Sequence, residues 1–266
     1  MSIELTQSTQ FKIRNLSIIS KIGNFDVSGV FDELNIFDSL LMPCMSGNIL
    51  IRDAIGLSNK LLFDGSEYLS MDISKGDEES VTNFNKTFRI YKQTDRKQVN
   101  QTSEMYILHF VAEELIYSEQ QKINQAFSGN HHEIATRILT DYLKVSAKDG
   151  KIGIVEPTKG VHNSVIPNIS PFDAMTWLAQ RAINSEGLPD YIFFQNKMGY
   201  NFVSLSTLLS QNQLFDVNFQ PKNMGPSVAD EFVGARDVKI LSQYNLPENI
   251  RNGVYAGKFI GFDPLT

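Results

Sequence analysis

The stretch from Ser170 to Leu209 constrains the fold more than any other part of the chain. Ser170 is a natural N-cap, since its hydroxyl can accept an orphan amide at a helix start. Pro171 follows at the first helical position, where its missing N–H costs nothing, and Asp173 puts a carboxylate on the positive end of the helix dipole. Phe172, Met175, Ala179, Ala182 and Ile183 recur at helical spacing, and Trp177 and Leu178 widen that apolar stripe. The helix is expected to run on to a stop at Gly187–Asp190, because Gly accepts a left-handed conformation and Pro189 cannot continue the ladder. Tyr191–Gln195 and Tyr200–Ser204 are β-rich runs joined by the four residues Asn196–Gly199, which predicts a hairpin. Trp177 is expected to pack the helix on that hairpin, with Phe193 and Phe202 in the core.

A chain of 266 residues, 42% hydrophobic and 20% charged, is long enough for one large domain or two modest ones with cores of their own. No run of about 18 apolar residues offers a membrane span. The N-terminus, MSIELTQSTQ, lacks the basic-then-apolar pattern of a signal peptide. A single cysteine, Cys44, excludes an internal disulfide framework and any multi-cysteine metal site, and its apolar neighbours point to a buried thiol. The net charge of −6, with no Lys/Arg cluster, argues against tight nucleic-acid binding.

Residues 1–117 are mainly β, with expected strands Phe11–Ser20, Phe25–Leu34, Gly47–Arg52, Tyr68–Ser74, Phe84–Gln93 and Glu104–Leu115. Phe84, Phe88 and Ile90 share one parity, as do Tyr106, Leu108 and Phe110, while Met105–Val111 is apolar on both faces. Strands at this spacing predict an antiparallel barrel or sandwich, with a short helix near Ile55–Leu62. From Ser118 to Val145 the period turns helical, with Asn130 and Glu133 placed as a capping box. Gly150–Asn168 is a Gly/Pro-punctuated connection with one short strand at Ile152–Val155. Strands return at Asp237–Tyr244 and Tyr255–Phe262 around the turn signal Asn252-Gly253. The expected organisation is α+β but mainly β: a tube-type antiparallel barrel over 1–117, an inserted helix/hairpin lobe over 118–221, and strands over 222–266 that complete that barrel or begin a second one continuing past Thr266.

Two of these regions resemble phage baseplate hub proteins of contractile tails, which are related to the N-terminal part of type VI secretion spike proteins. The capped helix and aromatic hairpin of 170–209 resemble their central region. Ile36–Leu41, Ser46–Asp53, Gly56-Leu57 and Gly65 resemble their first barrel, in which a strand ending in Asp leads to a short helix. The resemblance implies two similar tube barrels in one chain and a homotrimer that adapts a six-fold tail tube to a three-fold central spike. The implied partners are other copies of the chain, the tail tube ring, a trimeric spike and other baseplate proteins. DNA or a tape-measure protein would pass through the lumen without specific binding. The implied location is the virion tail, assembled in the host cytoplasm.

Chemistry is sparse. His131-His132-Glu133 lacks the second ligand of a His-Glu-x-x-His helix, and adjacent histidines diverge on a helix, so the triplet is expected to be an exposed helix start. No phosphate loop, dinucleotide fingerprint, nucleophile elbow or calcium loop is present. Glu113-Glu114 and Asp230-Glu231 are the carboxylate pairs that a glycosidase could use, and solvated faces are expected for both. Asp77-Glu78-Glu79 is expected on the surface, His162 in a loop, and His109 hydrogen-bonded in a core strand. No catalytic, cofactor or metal residue is assigned, and no enzyme is expected. The alternatives to a structural hub are a tail-associated cell-wall hydrolase and a non-catalytic β-rich tail adaptor.

Overall fold

In a computed structural model the described residues are 11–61, 63–74, 83–100, 102–145, 151–213, 216–219, 234–235, 237–239 and 245–257. The chain divides into two compact units, residues 1–212 and 213–266. The first unit holds two hydrophobic cores. The boundary expected at 117/118 falls inside a helix, Glu113–Gln120.

Strands β1 (Lys12–Ser20), β2 (Gly23–Asp26), β3 (Phe31–Phe37), β4 (Ser46–Asp53), β5 (Tyr68–Ser74), β6 (Asn83–Gln98) and β7 (Glu104–Val111) form one antiparallel sheet in the order β2-β1-β5-β6-β7-β4-β3. Chain connectivity forces that sheet to curl. Laid flat, its outer strands would stand about 29 Å apart at ~4.8 Å per strand. The link from Asp26 to Phe31 reaches only about 17 Å when fully extended. The connecting residues also bond to both sides: the Val27 amide donates to the Leu16 carbonyl at 2.9 Å, and the Arg52 amide donates to the Val30 carbonyl at 2.8 Å. Because β2 and β3 run in the same direction, they act as two halves of one bent strand that bridges β1 and β4.

The expected barrel is therefore a curled half-barrel, closed at the end where β2 meets β1 and split farther along. Among the described residues β3 pairs only with β4, and Lys12–Asn15 of β1 pair only with β5.

The inward residues follow the period of two: Leu16 and Ile18, Ile49 and Ile51, Leu69 and Met71, Phe88 and Ile90, and Tyr106, Leu108 and Phe110 are all buried. Such side chains contribute about 1.5–3 kcal/mol each when fully buried, and together they fill the interior. Phe110 fits because β4 offers no side chain at Gly47, its cross-strand partner. A Cβ at Gly47 would lie 2.4 Å from the Phe110 ring and 2.3 Å from the Asn35 carbonyl oxygen. At the end of β4, the Asp53 carboxylate accepts the Ile55 and Ser58 amides at 3.0 and 2.9 Å and so starts α1 (Leu57–Leu61).

The second core belongs to a lobe built from α2 (Glu113–Gln120), β8 (Ile123–Gly129), α3 (His131–Arg137) running into a π-helical turn at Ile138–Tyr142, β9 (Ile152–Val155), β10 (His162–Ile169), α4 (Pro171–Ala179), β11 (Tyr191–Asn196), β12 (Gly199–Ser204) and α5 (Leu205–Leu209). β8 pairs with β10, while β11, β12 and β9 form a three-stranded sheet with β9 parallel to β12.

Several sequence expectations change here. The strand expected to reach Leu115 stops at Val111, because the Ala112 amide turns to the Met45 carbonyl and Glu113 opens α2. β8 interrupts the expected helical region, and β10 occupies a segment expected to be a connection. The Ser170 cap forms as expected, its hydroxyl accepting the Asp173 amide at 3.2 Å. The helix nevertheless ends at Ala179 rather than near Gly187. The Ile183 carbonyl accepts the Lys159 amide from another segment, and the Asn184 side chain accepts the Glu186 and Leu188 amides, so the backbone leaves its helical path. The hairpin turn holds two residues, Lys197 and Met198, since Asn196 already pairs with Gly199.

The helix docks on the hairpin through Phe172, whose ring centroid lies 5.9 Å from those of both Phe193 and Tyr200. Trp177 is only half-buried and carries the Arg181 guanidinium 3.9 Å above its ring.

In the second unit, Asn218–Phe219 (β13) bridges Gly234–Ala235 (β14) in parallel, and α6 (Leu246–Arg251) is capped by Asn245. Residues 237–239 and 255–257 are not strand, and the rest of both expected strands lies outside the described residues.

Two substitutions test this packing by urea unfolding. Gly47→Ala is expected to cost about 1–3 kcal/mol through overpacking, and a midpoint equal to the parent's would disprove the close approach of Phe110. Phe172→Ala is expected to cost about 3–5 kcal/mol and Trp177→Ala about 1–2; the reverse ranking would return the docking role to the tryptophan.

Candidate functional site

A set of polar groups with functional potential lies where the half-barrel meets the lobe. Helix α2 begins directly after β7, so Glu113 and Glu114 emerge at the seam. They take different partners. Glu113 accepts the Tyr68 hydroxyl from β5. Glu114 is 5% exposed. It accepts the Tyr200 hydroxyl of β12 at 3.2 Å and pairs with the Lys151 ammonium at 3.2 Å. The expected solvated carboxylate face is thus overturned for Glu114, which is sunk against the hairpin.

The same seam holds Cys44, whose thiol is pushed up to about 12 by burial and by the nearby Glu114 carboxylate. Burial, then Glu114, also raises the Tyr200 hydroxyl well above its ordinary value. Burial is likewise the main cause that holds the Lys86 ammonium below its ordinary value. A raised thiol stays protonated and is a poor nucleophile. The backbone is tied across the seam as well, because the Met45 amide donates to Gln195 Oε1 at 2.8 Å. Chemically, this arrangement fastens the lobe to the half-barrel. A glycosidase needs two carboxylates placed across a substrate, whereas Glu113 and Glu114 are neighbours in sequence and each is bonded to a protein partner.

The histidines also depart from expectation. His131 is 3% exposed rather than an exposed helix start, and its ring stacks on His162 at 4.4 Å between centroids. His162 begins β10 and does not lie in a loop. His132 Nδ1 accepts the Thr158 amide at 3.0 Å. His109 bonds Thr94 at 2.8 Å across the β6–β7 pair, as a hydrogen-bonded strand histidine should. No group of three or more His, Cys, Asp or Glu side chains suited to a metal occurs among the described residues. Asp77-Glu78-Glu79 and Asp230-Glu231 lie outside the described residues. A cavity of about 260 Å³ between the Phe63–Glu67 loop and β6 is lined by Phe63, Asp64, Glu67, Tyr91 and Gln93.

Exposed apolar groups concentrate elsewhere. Phe37 at the end of β3 and Leu40, Leu41 and Met42 in the following loop are all exposed, Leu41 by 88%. They adjoin the β3 edge that no described strand covers. Sequence reading marked this segment through Cys44 and the Ile36–Leu41 motif but not as a surface. The signal was present: four large apolar residues lie within six positions next to Pro43. No helix among the described residues is long and apolar enough to cross a membrane.

No family model and no curated protein sequence matches this chain. Among solved structures it is similar to the tail protein from Neisseria meningitidis MC58, at 12% identity and a TM-score of 0.42 over 71% of this chain and 49% of that one. It is also similar to the E. coli c3393 protein, at 10% identity and a TM-score of 0.38 over 73% of this chain and 48% of that one. The latter is described as a component of the type VI secretion system with structural similarity to the T4 bacteriophage tail proteins gp27 and gp5. The chain thus matches about half the length of each of these structures.

Glu114→Ala is expected to cost about 1–3 kcal/mol by leaving the buried Tyr200 hydroxyl unpaired. Tyr200→Phe should remove most of that penalty in a double-mutant cycle. Strict additivity of the two substitutions would show that the seam contact carries no energy.

Proposed function

We propose that this chain is a structural subunit of a phage-type tail or a related injection machine. In this reading it is a baseplate hub that assembles as a homotrimer and adapts a six-fold tail tube to a three-fold spike. The observation that carries the reading is a half-barrel with a filled interior, a β3 edge that no described strand pairs and an exposed apolar loop beside it. Buried aliphatic and aromatic side chains fill the half-barrel among the described residues, so the channel of this reading forms between copies. Uncovered strand edges are templates for pairing with another chain, and a cluster of exposed large apolar side chains marks an interaction surface.

The tube ring, a trimeric spike and other baseplate proteins are the proposed partners. DNA or a tape-measure protein is the proposed traveller through the lumen. A net charge of −6 suits a wall that lets a duplex pass without gripping it. The seam at Glu113 and Glu114 is assigned a holding role rather than a catalytic one, and the proposed location is the tail of the virion, after assembly in the host cytoplasm.

The test is light scattering of the purified chain over a concentration series, alone and with tube or spike protein, alongside Leu41→Asp. The expected result is a trimer, or rings on meeting a partner, with assembly weakened at least about tenfold by Leu41→Asp and thermal stability unchanged. A monomer at every concentration that ignores both partners would overturn the proposal.

A further inference from the structure

His131 and His162 form an arrangement that neither the packing of the lobe nor the proposed tail role requires. His131 is the first residue of α3, and His162 the first of β10, where it pairs across the ribbon with Gly129. The two rings therefore meet where the β8–β10 ribbon ends and α3 starts. They are stacked nearly parallel, 11° apart with centroids at 4.4 Å. Nδ1 of His131 and Nε2 of His162 are both buried and make no hydrogen bond to the described protein. A metal ion binds an imidazole in the plane of its ring, and two parallel rings at this separation cannot share one ion that way.

The surroundings disfavour a proton on His131. His131 sits at the positive end of α3, where a cation is opposed by the helix dipole. It is buried, it faces a second imidazole, and the nearby charge is the Arg181 guanidinium that follows α4. Around it, β8 carries no titratable side chain. His132 is committed to Thr158, Glu133 accepts the Asn130 amide at 3.1 Å, and Glu156 accepts the Ser204 amide at 2.8 Å. The Glu133 carboxylate lies close by, its Oε2 standing 2.8 Å from where a Cβ on Gly129 would be, opposite His162, and among the described residues no carboxylate is bonded to either ring.

We propose that the stacked His131–His162 pair is an acid-sensitive latch: proton uptake on mild acidification releases the start of α3 from the end of the β8–β10 ribbon. Burial, followed by His162 and Arg181, holds His131 below the ordinary histidine value in the folded lobe. The closed joint is therefore fully stable above the ordinary value of ~6.5 and loses stability as pH falls below it toward the folded-state value. Opening frees the pair to take up a proton, and the ribbon edge and the first amides of α3 become exposed together.

The test uses the full chain. Imidazole Cε1–H signals of His109, His131, His132 and His162 are followed by NMR from about pH 7.5 to about pH 5, the range in which histidines change charge. Amide exchange at His132, Glu133 and Ile134, whose N–H groups donate to the Thr158 hydroxyl and the Asn130 carbonyl, is measured in parallel and corrected for the intrinsic pH dependence. His131 should titrate below the free-histidine value. The opening constant at those amides should rise with acid by up to about tenfold per pH unit, the limit for one proton. His131→Phe, which keeps a flat ring in the stack, should abolish that rise. If His131→Phe does not fold, His162→Phe and the titration of the parent chain decide the matter. Titration of His131 at or above the free-histidine value, or an undiminished acid response in a folded variant, would overturn the latch.

Discussion

The short link between Asp26 and Phe31 is the constraint on which the half-barrel depends. It joins the two outermost strands of a seven-stranded sheet with too little chain to cross a flat one. The sheet must curl, and curling encloses the inward parity of β1, β4, β5, β6 and β7. Those positions hold Leu, Ile, Met, Phe and Tyr, so the enclosed space becomes a packed core. Gly47 is the local concession that lets the Phe110 ring lie against β4. The same curl stops short of full closure, because β3 follows β4 away from β1, and this leaves the uncovered edge beside the apolar Phe37–Met42 segment.

The lobe is held to this frame by a few contacts of high energetic consequence. Glu114 is buried against Tyr200 with Lys151 as its counter-charge, and the Met45 amide reaches Gln195. A buried carboxylate is tolerable only when it is paired and hydrogen-bonded, so the seam has one satisfied arrangement. The proposed tail role draws on the β3 edge that no described strand covers and on the apolar loop beside it, while fold alone does not specify function.

Much of the architecture was readable from local pattern. The alternation of Phe88 and Ile90 and of Tyr106, Leu108 and Phe110 marked inward faces, and Asp53 marked the start of a short helix. The Ser170-Pro171-Asp173 cap and the aromatic hairpin were readable too, since each is set by residues close in sequence. The seam and the latch were not. Glu113-Glu114 looks like any charged pair until β12 is laid against α2, and His131 looks exposed until His162, some thirty residues away, stacks on it.

By itself, then, the sequence determined which residues alternate, which cap and which turn, because strand parity, helix caps and Gly or Pro punctuation act over a few residues. Tertiary structure decided the rest. Helix α4 ends at Ala179 because the Ile183 carbonyl finds the Lys159 amide. β8 and β10 become strands because each supplies the other's hydrogen bonds. Glu114 and His131 are buried because distant segments close over them. Hydrogen bonds and desolvation depend on what lies nearby in space, and for these residues the deciding neighbours come from far along the chain.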